Sequence, residues 1–241
     1  MIFTLRHGHD TIADVKAVLF DMDGTLVDSE KLWDISLAAL YRELGGELSR
    51  EVRAALVGGS AEDTIRTIYT DLGLALDPVS MAGSDRWLHD YTGVLFEQGL
   101  PWCDGARELL EALASEGTPM ALVTNTRRAL TDRALTSIGR QFFSATVCGD
   151  EVPTGKPAPD VYRRAAELLE LAPSACLAIE DSVTGTAAAE AAGCPVLVVP
   201  NDVDVPGGSG RSHLNSLAGV DAARLRRIHA DLVGAIGERS A

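Results

Sequence analysis

The residues most suited to catalysis or ligand binding form a short acidic run near the start of the chain. Asp21 and Asp23 are followed by Gly24, and all three come directly after residues 15–20, an apolar stretch typical of a buried strand. Ligands of open α/β sheets bind beyond the carboxyl ends of the strands, and a glycine lets the backbone turn sharply there. A plain surface turn is the simpler interpretation. A calcium loop would need more oxygen ligands and a later glutamate, which this sequence lacks.

Thr124, Asn125 and Lys156 add polar groups where later strands of the same sheet are expected to end. Thr124 and Asn125 follow the apolar run 120–123. A hydroxyl and nearby amides can hold phosphate oxygens, and helix capping explains both residues equally well. Lys156 lies in the segment Gly-Lys-Pro-Ala-Pro-Asp, 155–160, whose prolines restrict the backbone. An ammonium fixed there could neutralise a carboxylate and a phosphate together, whereas a solvated loop lysine is the simpler interpretation.

An acid pair, Glu180 and Asp181, completes the set of polar groups. The pair follows the apolar run 176–179, which predicts another strand end. Mg²⁺ prefers oxygen ligands and retains water, so paired carboxylates at a strand end suit it. Acids that decorate a helix N-terminus give the same sequence pattern.

The order of these groups along the chain resembles the four motifs of the haloacid dehalogenase superfamily. An aspartate pair, a small hydroxyl residue, a lysine and an acid pair follow one another, and the match covers nearly all of the chain. Residues 21–30, with Leu-Trp-Asp at 32–34, are similar to the β-phosphoglucomutase-like subfamily, especially its sugar-phosphate phosphatases. The resemblance implies a phosphatase that hydrolyses a small phosphate monoester of a sugar or polyol.

The resemblance also implies a role for each motif residue. Asp21 would attack phosphorus and form an aspartyl-phosphate, and Asp23 would act as general acid and then as general base. The residues expected to hold Mg²⁺ are Asp21, Asp23, Glu180 and Asp181. The residues expected to hold the transferring phosphoryl group are Gly24, Thr124, Asn125 and Lys156.

Other activities of the superfamily differ from this chain at particular positions. The dehalogenases and phosphonate-cleaving members lack the second aspartate, so Asp23 favours phosphate esters. β-Phosphoglucomutases carry an arginine after the Gly-x-Ser of their cap specificity loop and a histidine at the position of Trp33. Here Gly59 and Ser60 are followed by Ala61. A phosphosugar mutase is therefore the second candidate, and a non-catalytic phosphometabolite-binding protein the third. Gly59, Ser60 and Trp33 are the candidate specificity residues.

A particular set of elements must position these residues. Apolar runs without polar alternation are separated by helical patterns, as in a parallel sheet with helices on both faces. We predict an α/β fold with a doubly wound, Rossmann-like core domain made of residues 1–30 and 99–241. Residues 31–98 have apolar residues at helical spacing and no strong strand pattern. They predict an inserted all-helical cap domain.

Composition narrows the range of partners. The chain has 241 residues and a net charge of −14, which argues against nucleic acid and anionic membranes because both are polyanions. The expected partner is a small phosphorylated metabolite, and a monomer is the default state. No secretory signal or membrane-spanning run is recognised, and the scattered cysteines are typical of free thiols, so we expect a cytoplasmic protein.

Arg6-His7-Gly8 resembles the opening of histidine phosphatases. That family needs a second catalytic histidine, and no other histidine of this chain has a matching sequence context.

Overall fold

The computed structural model describes residues 15–56, 61–201 and 204–237. The chain forms two compact units. The first, an α/β unit, contains the described residues up to Leu26, Cys103–Asn125 and the described residues from Phe142 onward. The second, a helical unit, contains Val27–Trp102 and Thr126–Gln141.

Helices and strands have the following bounds. The strands are β1 (Ala17–Phe20), β2 (Met120–Val123), β3 (Ala145–Val147), β4 (Cys176–Glu180), β5 (Val196–Val198) and β6 (Arg211–His213). The helices are α1 (Glu30–Glu43), α2 (Arg50–Leu56), α3 (Ala61–Asp71), α4 (Pro78–Gln98), α5 (Ala106–Ser115), α6 (Arg128–Ile138), α7 (Asp160–Leu168), α8 (Val183–Ala192) and α9 (Ala222–Gly237). Short 3₁₀ turns cover Arg140–Phe142, Gly149–Glu151 and Pro173–Ala175.

β1 lies in the interior of the sheet of the α/β unit. The strand order is β3-β2-β1-β4-β5-β6, and each neighbouring pair is parallel. Leu19 of β1 is paired with Ala121 of β2 on one side and with Ala178 of β4 on the other. Every residue of β1 is fully buried, as expected for an apolar strand with helices on both faces of its sheet. The carboxyl ends of β1, β2 and β4 therefore meet at one edge of the sheet.

α8 begins shortly after β4 ends, and its sequence explains where the helix starts and stops. The Ser182 hydroxyl accepts a hydrogen bond from the Gly185 N–H, and Gly193 ends the helix in the left-handed conformation with φ 94°. Ala188 and Ala189 are fully buried in the core beneath the sheet. Because these side chains are small, the helix packs closely on the strands and fixes the residues just after β4.

The helical unit has an apolar core of its own. This core includes the buried side chains of Leu37, Leu40, Tyr41, Leu56, Ile65, Ile68, Tyr69 and Leu88. The hydroxyls of Tyr69 and Ser84 lie 2.8 Å apart, and Asp77 caps α4 by accepting a hydrogen bond from the Ser80 N–H. The predicted cap, residues 31–98, falls within the bounds of this unit, which also takes in α6. The proposed domain boundaries stay a prediction.

The predicted α/β fold with its parallel sheet is confirmed, and the structure adds elements that the sequence pattern does not predict. β3 has the sequence Ala-Thr-Val and β6 the sequence Arg-Ser-His. Both are too short, and β6 too polar, to give an apolar run. They form the two edges of the sheet, where a strand is paired on one side only. α2 and α6 are likewise absent from the predicted elements.

Three further sequence features have a simple outcome. Within the described part of the chain, no helix is both long and apolar enough to cross a membrane. Cys148, Cys176 and Cys194 are buried, Cys103 is half-buried, and none of the four forms a disulfide. Arg6-His7-Gly8 and the loop residues Gly59 and Ser60 lie outside the described residues.

Candidate active site

The carboxyl edge of the sheet collects the acidic residues that the sequence singles out. Asp21 follows β1, and its backbone N–H donates to the Ile179 carbonyl of β4 at 3.0 Å. Glu180 is the last residue of β4, and Asp181 comes next. One carboxylate oxygen each from Asp21, Glu180 and Asp181 lie within 4.8 Å of one another. Parallel pairing of β1 with β4 thus brings together acids that are far apart in sequence.

Lys156 places its ammonium group among these acids. Its Nζ donates to Asp21 Oδ1 at 2.6 Å, to Glu180 Oε1 at 2.7 Å and to the Val123 carbonyl at 2.9 Å. The three protons of the ammonium group therefore match three acceptors. The side chain is 4% exposed, so these are buried charge-assisted hydrogen bonds. Burial acts to lower the pKa of Lys156, but Asp21 and Glu180 raise it above its ordinary value, which keeps the group charged.

Glu180 is the most deeply buried acid of the site. It is fully buried, and its Oε1 accepts hydrogen bonds from both Lys156 Nζ and the Tyr162 hydroxyl, the latter at 2.6 Å. Its Oε2 accepts a bond of 3.2 Å from the Ser182 hydroxyl. Gly185, in the first turn of α8, lies so close that a Cβ there would overlap the Glu180 carboxylate. The glutamate is therefore packed against the positive end of a helix and held by three donors.

Asp181 faces the loop that follows Asp21. Gly24 has φ +87°, and a Cβ at this position would overlap Asp181 Oδ2. A glycine is thus required at position 24 for two reasons: the left-handed backbone and the close approach of the carboxylate. The turn that follows Asp23 therefore packs directly against Asp181, the first residue after β4.

Burial shifts the proton affinities of two of these acids. The pKa of Asp21 is raised to about 7, first by burial and then by the charges of Glu180 and Asp23, while Lys156 acts to lower it. The pKa of Asp181 is raised to about 9, again first by burial and then by Asp21 and Glu180. One buried ammonium does not offset so much negative charge. The site is therefore electrostatically short of positive charge.

The donor set fits a divalent cation that prefers oxygen ligands. Asp21 Oδ2 is buried and has no hydrogen-bond partner among the described residues. An unpaired buried carboxylate oxygen is costly, and a cation bound beside it would relieve that cost. The ligand atoms offered by Asp21, Glu180 and Asp181 are all carboxylate oxygens, as hard cations such as Mg²⁺ and Ca²⁺ require.

Asp23 and Thr124 lie on the neighbouring strand ends of the same edge. The Thr124 hydroxyl donates to Asp23 Oδ2 at 3.1 Å. Thr124 is buried, and its backbone N–H donates to the Val147 carbonyl of β3 at 3.0 Å, so the end of β2 is fixed. The threonine therefore orients the second aspartate beside Asp21.

Asn125 contacts the lysine loop through its side-chain amide. Its Nδ2 donates to the Lys156 carbonyl at 3.1 Å, and its Oδ1 accepts from the Lys156 N–H at 2.8 Å. Gly155 is close enough that a Cβ there would lie 2.6 Å from Asn125 Oδ1. The pair of hydrogen bonds anchors the backbone of Lys156 to the end of β2.

The structure corrects one expectation about position. Lys156 does not lie at a strand end, because β3 stops at Val147 and a 3₁₀ turn and loop follow before the lysine. The long side chain and the Asn125 contact carry the ammonium back to the carboxyl edge. Trp33, the predicted specificity residue, lies in the helical unit, where its ring meets His89 and Phe96 edge-on at centroid distances of 5.9 and 6.4 Å.

Tyr162 is a site residue that the sequence patterns miss. It is fully buried in α7, and its neighbour Val161 is an apolar core residue. Read alone, a tyrosine in such a helix is an ordinary core residue. A tyrosine hydroxyl that is buried needs a polar partner, and this requirement is the signal that points to a nearby acid.

Comparison with known proteins identifies the family of the chain. The sequence model of the haloacid dehalogenase-like hydrolases matches residues 15–193. Protein CbbY of Rhodobacter capsulatus is 29% identical over 197 residues, which are 78% of this chain and 87% of that protein. Hexitol phosphatase B of Escherichia coli is 30% identical over 194 residues, 79% of this chain and 86% of its own length.

A solved structure of a CbbY protein has a similar fold. The crystal structure of CbbY from Rhodobacter sphaeroides in complex with xylulose-(1,5)bisphosphate has a TM-score of 0.74 and 26% identity, and the match covers 85% of this chain and 96% of that one. The chain therefore belongs to the haloacid dehalogenase-like hydrolases, and the predicted family is confirmed.

Proposed function

We propose that the protein is a Mg²⁺-dependent phosphatase that hydrolyses a small sugar or polyol phosphate through a phosphoryl group carried on Asp21. The observation that carries the proposal is the state of the Asp21 carboxylate. Lys156 holds Oδ1 at 2.6 Å, while Oδ2 is buried and has no partner in the described part of the chain. One oxygen is thus fixed and the other is available to a ligand.

The residues support a displacement in two steps. In the first, an Asp21 oxygen attacks phosphorus, the bond from phosphorus to the ester oxygen breaks, and Asp23 gives a proton to the leaving oxygen. In the second, a water attacks the phosphoryl group, Asp23 takes its proton, and phosphate leaves with Asp21 restored. The Thr124 hydroxyl, 3.1 Å from Asp23 Oδ2, would keep the acid oriented in both steps.

Charge compensation is the main demand of such a reaction. Lys156 would offset the negative charge of Asp21 and of the incoming phosphoryl group from one side. Mg²⁺ held by Asp21, Glu180 and Asp181 would supply further positive charge, and the Asp23 carbonyl is also expected to contact it. Burial, and after it the charges of Glu180 and Asp23, raise the pKa of Asp21 to about 7, so a bound cation would keep the nucleophile ionised.

The substrate class rests on the relatives. Hexitol phosphatase B is named for a phosphorylated polyol, and the CbbY structure contains a sugar bisphosphate. This chain aligns with most of the length of both proteins. The expected substrate is therefore a phosphorylated sugar or polyol.

Phosphate release from a panel of sugar and polyol phosphates tests the proposal. We expect hydrolysis with Mg²⁺, and loss of hydrolysis with a chelator that returns when Mg²⁺ is added in excess. Turnover that persists under chelation would remove the metal from the proposal. Release from none of the panel compounds, with ligand still bound, would favour a non-catalytic binding protein.

The same assay separates a phosphatase from a phosphosugar mutase. β-Glucose 1-phosphate is supplied together with a trace of glucose bisphosphate, and both glucose 6-phosphate and free phosphate are measured. A phosphatase releases free phosphate in proportion to substrate consumed. Formation of glucose 6-phosphate without comparable free phosphate would overturn the proposed hydrolytic outcome.

A further inference from the structure

Tyr162 and Lys156 both donate a hydrogen bond to the same oxygen atom of Glu180. Its hydroxyl donates to Glu180 Oε1 at 2.6 Å, and the same oxygen accepts from Lys156 Nζ at 2.7 Å. The ring of Tyr162 also contacts the lysine, since Nζ lies 5.3 Å from its centroid. This distance is within the range of cation–π attraction. Tyr162 therefore contacts Lys156 through its ring and shares an acceptor with it.

The geometry of the lysine depends on where that oxygen lies. Lys156 Nζ has three donors, which go to Asp21 Oδ1, Glu180 Oε1 and the Val123 carbonyl. A shift of Glu180 Oε1 would therefore redirect the ammonium group away from Asp21. On the other carboxylate oxygen, the bond from Ser182 is longer, at 3.2 Å, and so holds Glu180 less firmly.

We infer that Tyr162 is a positioning residue of the active site, which holds Glu180 Oε1 in place and thereby fixes the Lys156 ammonium against Asp21. The inference rests on the proposed phosphatase function, because it assigns Tyr162 a part in preparing that reaction. Tyr162 acts through Glu180 and Lys156 and is not itself placed in contact with substrate.

Packing alone does not account for a tyrosine here. A phenylalanine ring would fill the same space in α7, and burial of a hydroxyl is costly unless it is hydrogen-bonded. Hydrogen bonds to charged groups are stronger than neutral ones. A tyrosine hydroxyl ordinarily keeps its proton at neutral pH, so it can donate to the Glu180 carboxylate.

Tyr162→Phe tests the inference, and Tyr41→Phe is the matched control. Tyr41 is also fully buried and donates to a carboxylate, Asp71 Oδ2 at 3.2 Å, but it belongs to the helical unit. We expect Tyr162→Phe to lower kcat by about 10-fold or more, with KM changed by less than about threefold. Tyr41→Phe should keep kcat within about twofold of wild type. Equal kcat in both variants would overturn the inference.

Binding of orthovanadate gives a readout independent of turnover. Vanadate adopts the geometry of the phosphoryl-transfer transition state, so its affinity depends on correct positioning of charged groups. With Mg²⁺ present, calorimetry should show vanadate affinity falling in Tyr162→Phe about as much as kcat does. Affinity for inorganic phosphate should change by less than about threefold. An equal loss for both ligands would point to general damage and contradict a positioning role.

A double-mutant cycle tests the route through Glu180. If Tyr162 acts through this carboxylate, Tyr162→Phe should have little further effect in a Glu180→Gln background. Full additivity of the two losses would refute that route. Assays on wild type come first: wild type that hydrolyses no phosphate ester defeats the proposed function, whereas an active wild type with an unaffected Tyr162→Phe defeats only this inference.

Folding of the variants is checked by circular dichroism and thermal unfolding. Should Tyr162→Phe not fold, 3-fluorotyrosine at position 162 replaces it, because this residue keeps the shape and the hydroxyl but makes the hydroxyl a stronger donor. The substitution should change kcat by at least about twofold at position 162 and by less at position 41. The same kcat at both positions would overturn the inference.

Discussion

A cation between two carboxylates occurs in both compact units, and the two clusters differ in exposure. In the α/β unit, Lys156 bridges Asp21 and Glu180, with side chains 4%, 8% and 0% exposed. In the helical unit, Arg53 of α2 bridges Glu30 and Asp34, with side chains 23%, 42% and 47% exposed. We call these the buried triad and the exposed triad. Each triad has one cation and two carboxylates, and the two triads differ strongly in burial.

The comparison shows what burial does to a charged cluster. In the exposed triad, solvent screens each charge, and such pairs contribute little to stability. In the buried triad, charges interact strongly, and burial raises the pKa of Asp21 to about 7. In the buried triad, the shifted pKa and the cost of removing a counter-charge therefore have the same cause, which is burial. We therefore expect substitutions in the buried triad to change activity and stability much more than substitutions in the exposed triad.

The largest difference should come from the aspartates. We expect Asp21→Asn to lower turnover by at least about 10⁴-fold, because the amide is a poor nucleophile and cannot carry the phosphoryl group. Asp34→Asn in the exposed triad should stay within about twofold of wild type. Phosphate release measured for both variants under identical conditions checks this pair, and appreciable turnover by Asp21→Asn would sink the nucleophile assignment.

We expect the next largest difference between substitutions of Lys156 and Arg53, the cations that bridge the two carboxylates of each triad. Lys156→Met should reduce kcat/KM by about 10³-fold and destabilise the protein by about 3 kcal/mol, since it leaves buried carboxylates without their counter-charge. Arg53→Met should leave kcat/KM unchanged and cost less than about 1 kcal/mol. Steady-state kinetics and urea unfolding measure both effects. Similar losses of stability in the two variants would show that burial does not distinguish the triads.

Metal affinity should change by a smaller factor. Asp181→Asn removes a carboxylate that faces Gly24 and lies beside Asp21 and Glu180. We expect Mg²⁺ binding, measured by calorimetry, to weaken by about 100-fold. Asp34→Asn again serves as the control and should bind Mg²⁺ like wild type. Unchanged affinity in Asp181→Asn would exclude this residue from the metal site.

The last contrast is in the pH dependence of stability. Asp21 and Asp181 have pKa values raised to about 7 and about 9 in the folded protein, against 3.8 ordinarily. Folding therefore disfavours their ionisation, and their stabilising contribution, complete below about pH 4, is lost as pH rises through these values. We expect the Tm of the metal-free protein to fall between about pH 5 and about pH 9.

Added Mg²⁺ should raise Tm more at the alkaline end of this range, because it binds the ionised carboxylates. The contribution of the two acids is the difference in slope between wild type and an Asp21→Asn, Asp181→Asn double variant. A Glu30→Gln, Asp34→Asn double variant of the exposed triad should keep the slope of wild type. Equal slopes in all three proteins would contradict the assignment.

The sequence allowed much of the site to be predicted because the site lies where short apolar strands end. The runs before Asp21 and Glu180 are continuous and buried, so their carboxyl ends could be placed at one edge of a parallel sheet. The family resemblance then supplied roles for the residues. The roles themselves, and the specificity assigned to Gly59, Ser60 and Trp33, stay predictions.

Contacts that depend on tertiary packing could not be predicted. β3 and β6 are three residues each and owe their pairing to the strands beside them. Tyr162 reads as an ordinary core residue because its significance arises only when α7 packs beside Glu180. The loop between β3 and Lys156 has no periodic pattern, so the sequence did not show how far the lysine must reach.

The hydrogen bonds from Asn125 to the backbone of Lys156 have a consequence for repeated turnover. Charge on Asp21 changes at each chemical step of the proposed reaction, and a lysine held only by its ion pairs would relax each time. The amide contacts at 2.8 and 3.1 Å involve neutral groups whose protonation is the same throughout. In the proposed reaction, the lysine loop would therefore keep its place while the charges around its side chain change, and each cycle would start from the same arrangement.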